Sequence, residues 1–321
     1  MPLHPDAVAF LRRLEHDGVQ PDYLLTVAEA RAKAEAPAET EREPVAAVED
    51  TAAPGPSGPV PMRIYTPPRR AVGVVVYLHG GGFVTGTIDS YDPLMRRLAN
   101  RVPATVVAVD YRRAPEHRCP AAVDDAQAAY HWATAHAQQL APDSRGQIAV
   151  AGDSAGGNIA AVLSRRRRDA REPLPALQVL LYPGTDAAAY QDSDAYPSYR
   201  QCSAGYGMHY QDGLWYLAHY LGPDGDRYSP DASPIRAPSL VGLPAAYVVT
   251  VEYDILRDEG EAYAAQLRDA GVPVEHRRWN GHLHGFIGDP NAFADAEPAL
   301  DDIARAIRNA LTPRSSTQRA E

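Results

Sequence analysis

The chain has 321 residues and carries 31 Lys and Arg against 41 Asp and Glu, a formal charge of -10 that argues against a nucleic-acid partner. Lys33 is the only lysine and sits in Ala-Arg-Ala-Lys-Ala-Glu-Ala with no glycine-rich loop, which sets aside Schiff-base and phosphate-loop chemistry. No apolar run approaches the roughly 20 residues of a membrane helix, Met1 to Val19 lacks the apolar core of a secretion signal, and Cys119 and Cys202 make neither a disulfide framework nor a zinc pattern, so a soluble cytoplasmic protein is expected.

In chain order, Pro5 to about Ala36 has helical spacing, with Val8, Leu11 and Leu14 and then Leu24, Leu25, Val27 and Ala28 as apolar positions. Pro37 to Glu43 reads as a polar linker. Val45 to Val48 and Val60 to Tyr65, separated by Pro54, Gly55, Pro56 and Gly58, predict an antiparallel hairpin. From Val72 onward, fully apolar strands alternate with helices, as in a parallel sheet covered on both faces. The strands are expected at Val72 to Leu78, Thr105 to Asp110, Ile148 to Gly152, Leu177 to Tyr182, Ala246 to Val251 and Val274 to Trp279. Helices are expected at Ala121 to Gln139, Ala155 to Asp169, Glu259 to Ala270 and Phe293 to Leu311. With the hairpin this makes a mostly parallel α/β sheet of about eight strands. Between Gly184 and Leu243 the βα rhythm stops and tyrosines crowd in, which predicts an inserted helical subdomain or lid. The tail after Pro313 reads as frayed.

The strongest local signal is the strand Ile148 to Ala151 running into Gly152-Asp153-Ser154-Ala155-Gly156 and then a helix. A nucleophile on a sharp strand-to-helix turn needs small neighbours, because side chains two before and two after it would collide. The turn also places Ser154 at a helix N-terminus, which favours an oxyanion. His79-Gly80-Gly81-Gly82-Phe83 follows another apolar strand. Three consecutive glycines cost conformational entropy and mark a place where bare backbone approaches a ligand. In acyl transfer that ligand is the oxyanion, with Gly81, Gly82 and Ala155 as the expected donors.

Serine needs a base, and the base needs an orienting carboxylate. Asp254 lies just past a strand end on the sheet edge of Ser154, whereas Asp258 and Glu259 read as first-turn helix residues favoured by the dipole. After the last strand comes Asn280-Gly281-His282-Leu283-His284-Gly285. Either histidine could reach the site; His284 is preferred because Gly285 frees the loop around it. The order Ser, Asp, His is that of an α/β-hydrolase. A metal pair at His282 and His284 finds no accompanying Cys cluster or His-Glu-x-x-His, so no metal is expected.

With these motifs the chain resembles the bacterial hormone-sensitive-lipase family of carboxylesterases. The resemblance rests on His79 to Gly82, Asp110-Tyr111-Arg112-Arg113-Ala114-Pro115-Glu116-His117, Gly152 to Asn158, Asp254-Ile255-Leu256-Arg257-Asp258-Glu259-Gly260 and His284-Gly285-Phe286. It implies the α/β-hydrolase fold, a Ser154, Asp254 and His284 triad, an oxyanion hole of Gly81, Gly82 and Ala155, and no cofactor. It also implies residues 1–44 as N-terminal cap helices and linker, 45–183 as the first part of the catalytic domain, 184–243 as an inserted cap and 244–321 as the second part. Ile255 departs from the family, where a proline commonly follows the acid, and implies a looser loop. Tyr111 to His117 is then a turn pinned by Arg112 and Glu116.

Arg165 to Arg168 reads as a solvated helix end. The tyrosines of the insertion either line a pocket or pack between helices. An insertion rich in tyrosine and charge predicts soluble small-molecule esters with short to medium acyl groups rather than insoluble fat, and a homodimer stays open. The rival readings are a biosynthetic hydrolase, acyltransferase or dehydratase-like enzyme on the same fold, and a non-catalytic ligand-binding receptor.

Overall fold

The computed structural model describes residues 1–36, 41–142 and 144–312. Part of the predicted linker and the tail after Pro313 therefore lie outside the described residues. Eight strands form one sheet: β1 (Ala47–Gly55), β2 (Gly58–Thr66), β3 (Val74–Leu78), β4 (Thr105–Val109), β5 (Ile148–Asp153), β6 (Gln178–Leu181), β7 (Ala246–Tyr253) and β8 (Val274–Leu283). Their order is β1-β2-β4-β3-β5-β6-β7-β8. Only β2 runs antiparallel to its neighbours. The four strands β3 to β6 are buried along their whole length, which is why they read as unbroken apolar runs.

The hairpin is longer than its apolar residues suggest. Gly55 pairs with Gly58, so only Pro56 and Ser57 turn, and Pro54 and Pro61 lie inside the strands. Pro54 stands on the edge strand β1, and Pro61 precedes the stretch of β2 that pairs with β4, positions where prolines are tolerated.

The helices are α1 (Pro5–His16), α2 (Val27–Ala34), α3 (Asp92–Arg101), α4 (Ala121–Ala135), α5 (Ala137–Leu140), α6 (Ala155–Asp169), α7 (Pro197–Gln201), α8 (Tyr210–Leu221), α9 (Arg257–Asp269) and α10 (Ala296–Leu311). Alternate residues of the central strands feed two cores. Val74, Val76 and Leu78 share one core with Ile159, Val162 and Leu163 of α6 and Leu267 of α9. Val75 and Tyr77 face Met95 and Leu98 of α3 and Leu300 and Ile303 of α10. Burying each such side chain contributes about 1.5–3 kcal/mol.

One helix escapes the sequence pattern, and one expectation needs correction. The periodicity does not announce α3, whose ten residues include three arginines; Arg97 is buried and donates to Glu297 across the gap to α10. Nor is Arg165 to Arg168 a solvated helix end. Arg165 and Arg166 pair with Asp231, Arg166 also with Asp124, and Arg168 donates to the carbonyls of Ser239 and Val241. Arg167 is buried, its guanidinium 4.4 Å above the Tyr130 ring. The run ties α6 to α4 and to the chain before β7.

Residues 184–243 hold α7, α8 and two single 3₁₀ turns among irregular chain. Aromatic packing does more here than helix: Tyr190 stacks on Tyr210 and meets Tyr199, and Tyr220 stacks on Phe83 at 3.7 Å. The turn between α1 and α2 docks on α8, where Asp212 accepts from the Tyr23 N–H at 2.9 Å and Tyr216 donates to Asp22.

Candidate active site

β5 ends at Asp153 and α6 begins at Ala155, so Ser154 alone makes the turn, with φ 55° and ψ -119°. Such a conformation is strained for a residue with a side chain. Space around it is equally constrained. A β-carbon on Gly152 would meet the Gly156 carbonyl carbon at 2.4 Å, and one on Gly156 would lie 1.9 Å from the Leu78 oxygen.

β8 continues past Trp279, through Gly281 at φ 78°, and delivers His284 one residue beyond its end. The His284 Nε2 lies 2.9 Å from Ser154 Oγ, and its Nδ1 lies 2.7 Å from Asp254 Oδ2. A carboxylate only accepts, so the ring proton stands on Nδ1 and the Nε2 lone pair faces the serine hydroxyl. Asp254 is buried at the end of β7, and its Oδ1 accepts from the Leu256 N–H at 2.9 Å. That bond and the fully buried Ile255 hold the turn in which the family has a proline.

Burial alone would lower the His284 pKa. The charge and hydrogen bond of Asp254, with the Asp153 charge behind them, outweigh it and leave the imidazole above its ordinary 6.5.

His282 points elsewhere. Its ring stacks between His4 and Phe286, and its Nε2 meets Asp295 Oδ2 at 2.8 Å. Among the described residues, His4, His282 and Asp295 are the one group whose ligand atoms converge enough to hold an ion. The stacking of the His4 and His282 rings packs the start of α1 on β8.

The glycine loop after β3 carries Gly81 at φ 107° and Gly82 at φ 58°, a region that favours glycine. Among the described residues no acceptor pairs with the N–H of Gly81, Gly82 or Ala155. Asp153, not singled out by the sequence reading, anchors this loop. Its Oδ1 accepts from the Gly80 N–H at 3.0 Å and Tyr77 OH at 2.9 Å, and its Oδ2 from Tyr91 OH at 2.8 Å. His79 is packed flat on Tyr111, and burial pushes its pKa down to about 4, so it stays neutral. Outside the loop, Arg112 is held by Asp125 and Glu116 by Arg31. The turn predicted at Tyr111 to His117 is thus pinned from α4 and α2.

Relatives agree with this architecture. Residues 75–288 match the family model described as alpha/beta hydrolase fold. Esterase LipI of Mycobacterium tuberculosis is 41% identical over 275 residues, 82% of this chain and 82% of that protein. Ethyl acetate hydrolase of Pseudomonas putida is 35% identical, over 78% of this chain and 79% of its own length. The solved esterase of Pyrobaculum calidifontis superposes with a TM-score of 0.87 at 39% identity, covering 96% of this chain and 99% of the other. The chain belongs to the hormone-sensitive-lipase family of α/β-hydrolase carboxylesterases.

In this esterase Ser154 opens on a cavity of ≈ 50 Å³ walled by Phe83, Tyr190, Tyr216, Leu217 and Leu256, with Glu259 among them. Of the tyrosines in residues 184–243, Tyr190 and Tyr216 reach the cavity. Glu259 stands in the first turn of α9 as its sequence suggests, yet its side chain is fully buried. A larger, shallow groove of ≈ 740 Å³ between β1 and α4, lined by Trp132 and His136, includes no residue of the Ser154 constellation. Among the described residues no helix is long and apolar enough to cross a membrane.

Proposed function

We propose that Ser154, His284 and Asp254 act as a catalytic triad hydrolysing small soluble esters with short, uncharged acyl groups. The observation that carries this reading is the unbroken hydrogen-bond chain from Ser154 Oγ through both nitrogens of His284 to Asp254, at the mouth of a cavity. Ser154 Oγ attacks the ester carbonyl as Nε2 takes its proton. The oxyanion accepts from the N–H groups of Gly81, Gly82 and Ala155. The carbon–alkoxide bond breaks, and the imidazolium gives its proton to the departing alcohol. Water, deprotonated by His284, then releases the acid and restores Ser154. Asp254 holds the ring tautomer and stabilises the imidazolium.

The acyl preference follows from volume. A water occupies about 10–15 Å³ on this measure, so ≈ 50 Å³ suits an acyl group of a few heavy atoms. That one relative is an ethyl acetate hydrolase supports the same size. Residues 1–44 and 184–243 act as a cap over the cavity, a reading supported by the contacts of Asp22 and Tyr23 with α8. A fluorophosphonate probe should label the wild-type protein and fail on Ser154→Ala. Labelling that survives the substitution removes Ser154 as nucleophile.

A further inference from the structure

Glu259 is a carboxyl with no cation. It is fully buried, it borders the cavity beside Ser154, and no ion pair involves it among the described residues. Its Oε1 accepts from the Thr185 N–H at 2.6 Å, and its Oε2 meets the Tyr199 hydroxyl, which in turn lies against Tyr190. The Glu259 backbone carbonyl accepts from Thr185 Oγ1 at 3.0 Å, so the residue is fixed at both ends.

The charged groups that face it are of one sign. Asp186, on the segment after β6, is held by Arg236 and Tyr196, and Asp254, at the end of β7, is held by His284. The Arg236 guanidinium and the His284 ring are thus engaged by other carboxylates. The two tyrosines nearest to it, Tyr190 and Tyr199, are pushed well above their ordinary range by burial and stay neutral. An ionised Glu259 would be a third negative charge in the same dry space, the costliest kind of buried group.

We propose that Glu259 sets the acyl specificity of the site: as the uncharged acid it completes an apolar acyl pocket, and loss of its proton closes that pocket to ester. This rests on the reading of Ser154 as nucleophile. Burial, reinforced by Asp186 and Asp254 and only partly offset by the hydrogen bonds from Tyr199 and Thr185, pushes the Glu259 pKa up to about 8. At neutral pH the wall is therefore uncharged. An acyl chain ending in a carboxylate meets Asp186, which also lines the cavity, and a second negative charge at Glu259 once that residue ionises.

The test is kcat/KM for p-nitrophenyl butyrate between pH 6 and pH 10 in the wild type, Glu259→Gln, Tyr199→Phe and Ser154→Ala, with spontaneous hydrolysis subtracted. A single ionisation near pH 8 lowers the wild-type value about ten-fold from pH 7 to pH 9. Glu259→Gln, isosteric with the neutral acid, loses this alkaline limb. Tyr199→Phe removes a hydrogen bond that favours the charged form, so its limb moves to higher pH, a readout that a merely structural role would not give. Turnover surviving in Ser154→Ala overturns the reading of the site and the proposal with it. Serine-dependent turnover whose alkaline limb is unmoved in Glu259→Gln and Tyr199→Phe overturns the proposal alone.

Discussion

The Tyr216 ring lies across Gly82, so close that a β-carbon at Gly82 would stand 2.1 Å from Tyr216 Cδ1. Tyr216 is itself tied to Asp22 in the turn between α1 and α2, so the N-terminal segment fixes the ring that covers the glycine loop. Gly82→Ala must therefore displace the loop or the ring, and with the loop goes the N–H we propose as an oxyanion donor. We expect kcat for p-nitrophenyl acetate to fall about 10²–10³-fold, the usual effect of losing one such donor. The double variant Gly82→Ala with Tyr216→Ala should recover part of the loss, because it removes the clash and leaves only the φ 58° penalty. Full activity in Gly82→Ala would remove this N–H from the oxyanion hole.

The two nearby aspartates should separate cleanly. Asp254→Asn keeps the geometry but favours the wrong imidazole tautomer, and kcat should drop about 10⁴-fold. Asp258 instead pairs with Arg257 and accepts from the Ser198 N–H at 2.8 Å, joining α9 to α7. Asp258→Asn should retain turnover within about ten-fold and lower the melting temperature by a few degrees. Steady-state kinetics with a thermal scan on both variants decides; the reverse pattern would exchange the two roles.

In the proposed mechanism His284 must be neutral to accept the serine proton, so activity should fall as pH drops through its pKa. Since that pKa lies above 6.5, the acid limb of kcat/KM should have its midpoint above 6.5. Asp153 raises it through charge alone, without touching the ring. Asp153→Asn should therefore move the acid limb to lower pH, while weakening the anchor on Gly80 and so lowering kcat at the plateau. A limb that stays in place while the plateau drops would leave Asp153 as an anchor only.

Local pattern made most of the framework legible. Each of β3 to β7 coincides with an apolar run, and the residues two before and two after Ser154 are glycines because backbone crowds them, a constraint that acts over four residues. The same locality explains the convergence of His284 and Asp254 on Ser154, since each stands where a parallel strand ends at one edge of the sheet. What the sequence hides is set by distant partners. Arg165 and Arg166 look solvent-bound until Asp231, some 65 residues on, folds over them. Arg97 reads as surface until Glu297 arrives 200 residues later. Glu259 and Asp258 are neighbours in one helical turn, yet a rotation of about 100° per residue sends one into the cavity and the other to Arg257.

Acyl length should be read directly from a series of p-nitrophenyl esters. With ≈ 50 Å³ beside Ser154, acetate to butyrate should give the highest kcat/KM, and octanoate and longer chains should fall off steeply. Leu217→Ala, which removes a cavity wall, should shift the optimum by about two to three carbons. An optimum at dodecanoate or beyond in the wild type would contradict the volume argument.

Arg31 gives the strongest test of how the N-terminal helices support the site. From α2 its Nε donates to the Val84 carbonyl at 2.9 Å, and its Nη2 donates to the Ala114 carbonyl at 2.9 Å. The guanidinium also forms a bidentate pair with Glu116. Val84 directly follows the glycine loop and Phe83, so one side chain couples α2 to the segment that carries Gly81 and Gly82. Arg31→Ala leaves two carbonyls short of a donor, at about 1–3 kcal/mol each where they are buried. Arg31→Lys should rescue little, because a point charge cannot reproduce the planar fork. We expect both variants to raise KM and lower kcat for p-nitrophenyl butyrate together, with a melting temperature several degrees lower. Kinetics indistinguishable from wild type in Arg31→Ala would show that the glycine loop holds its shape without the N-terminal segment.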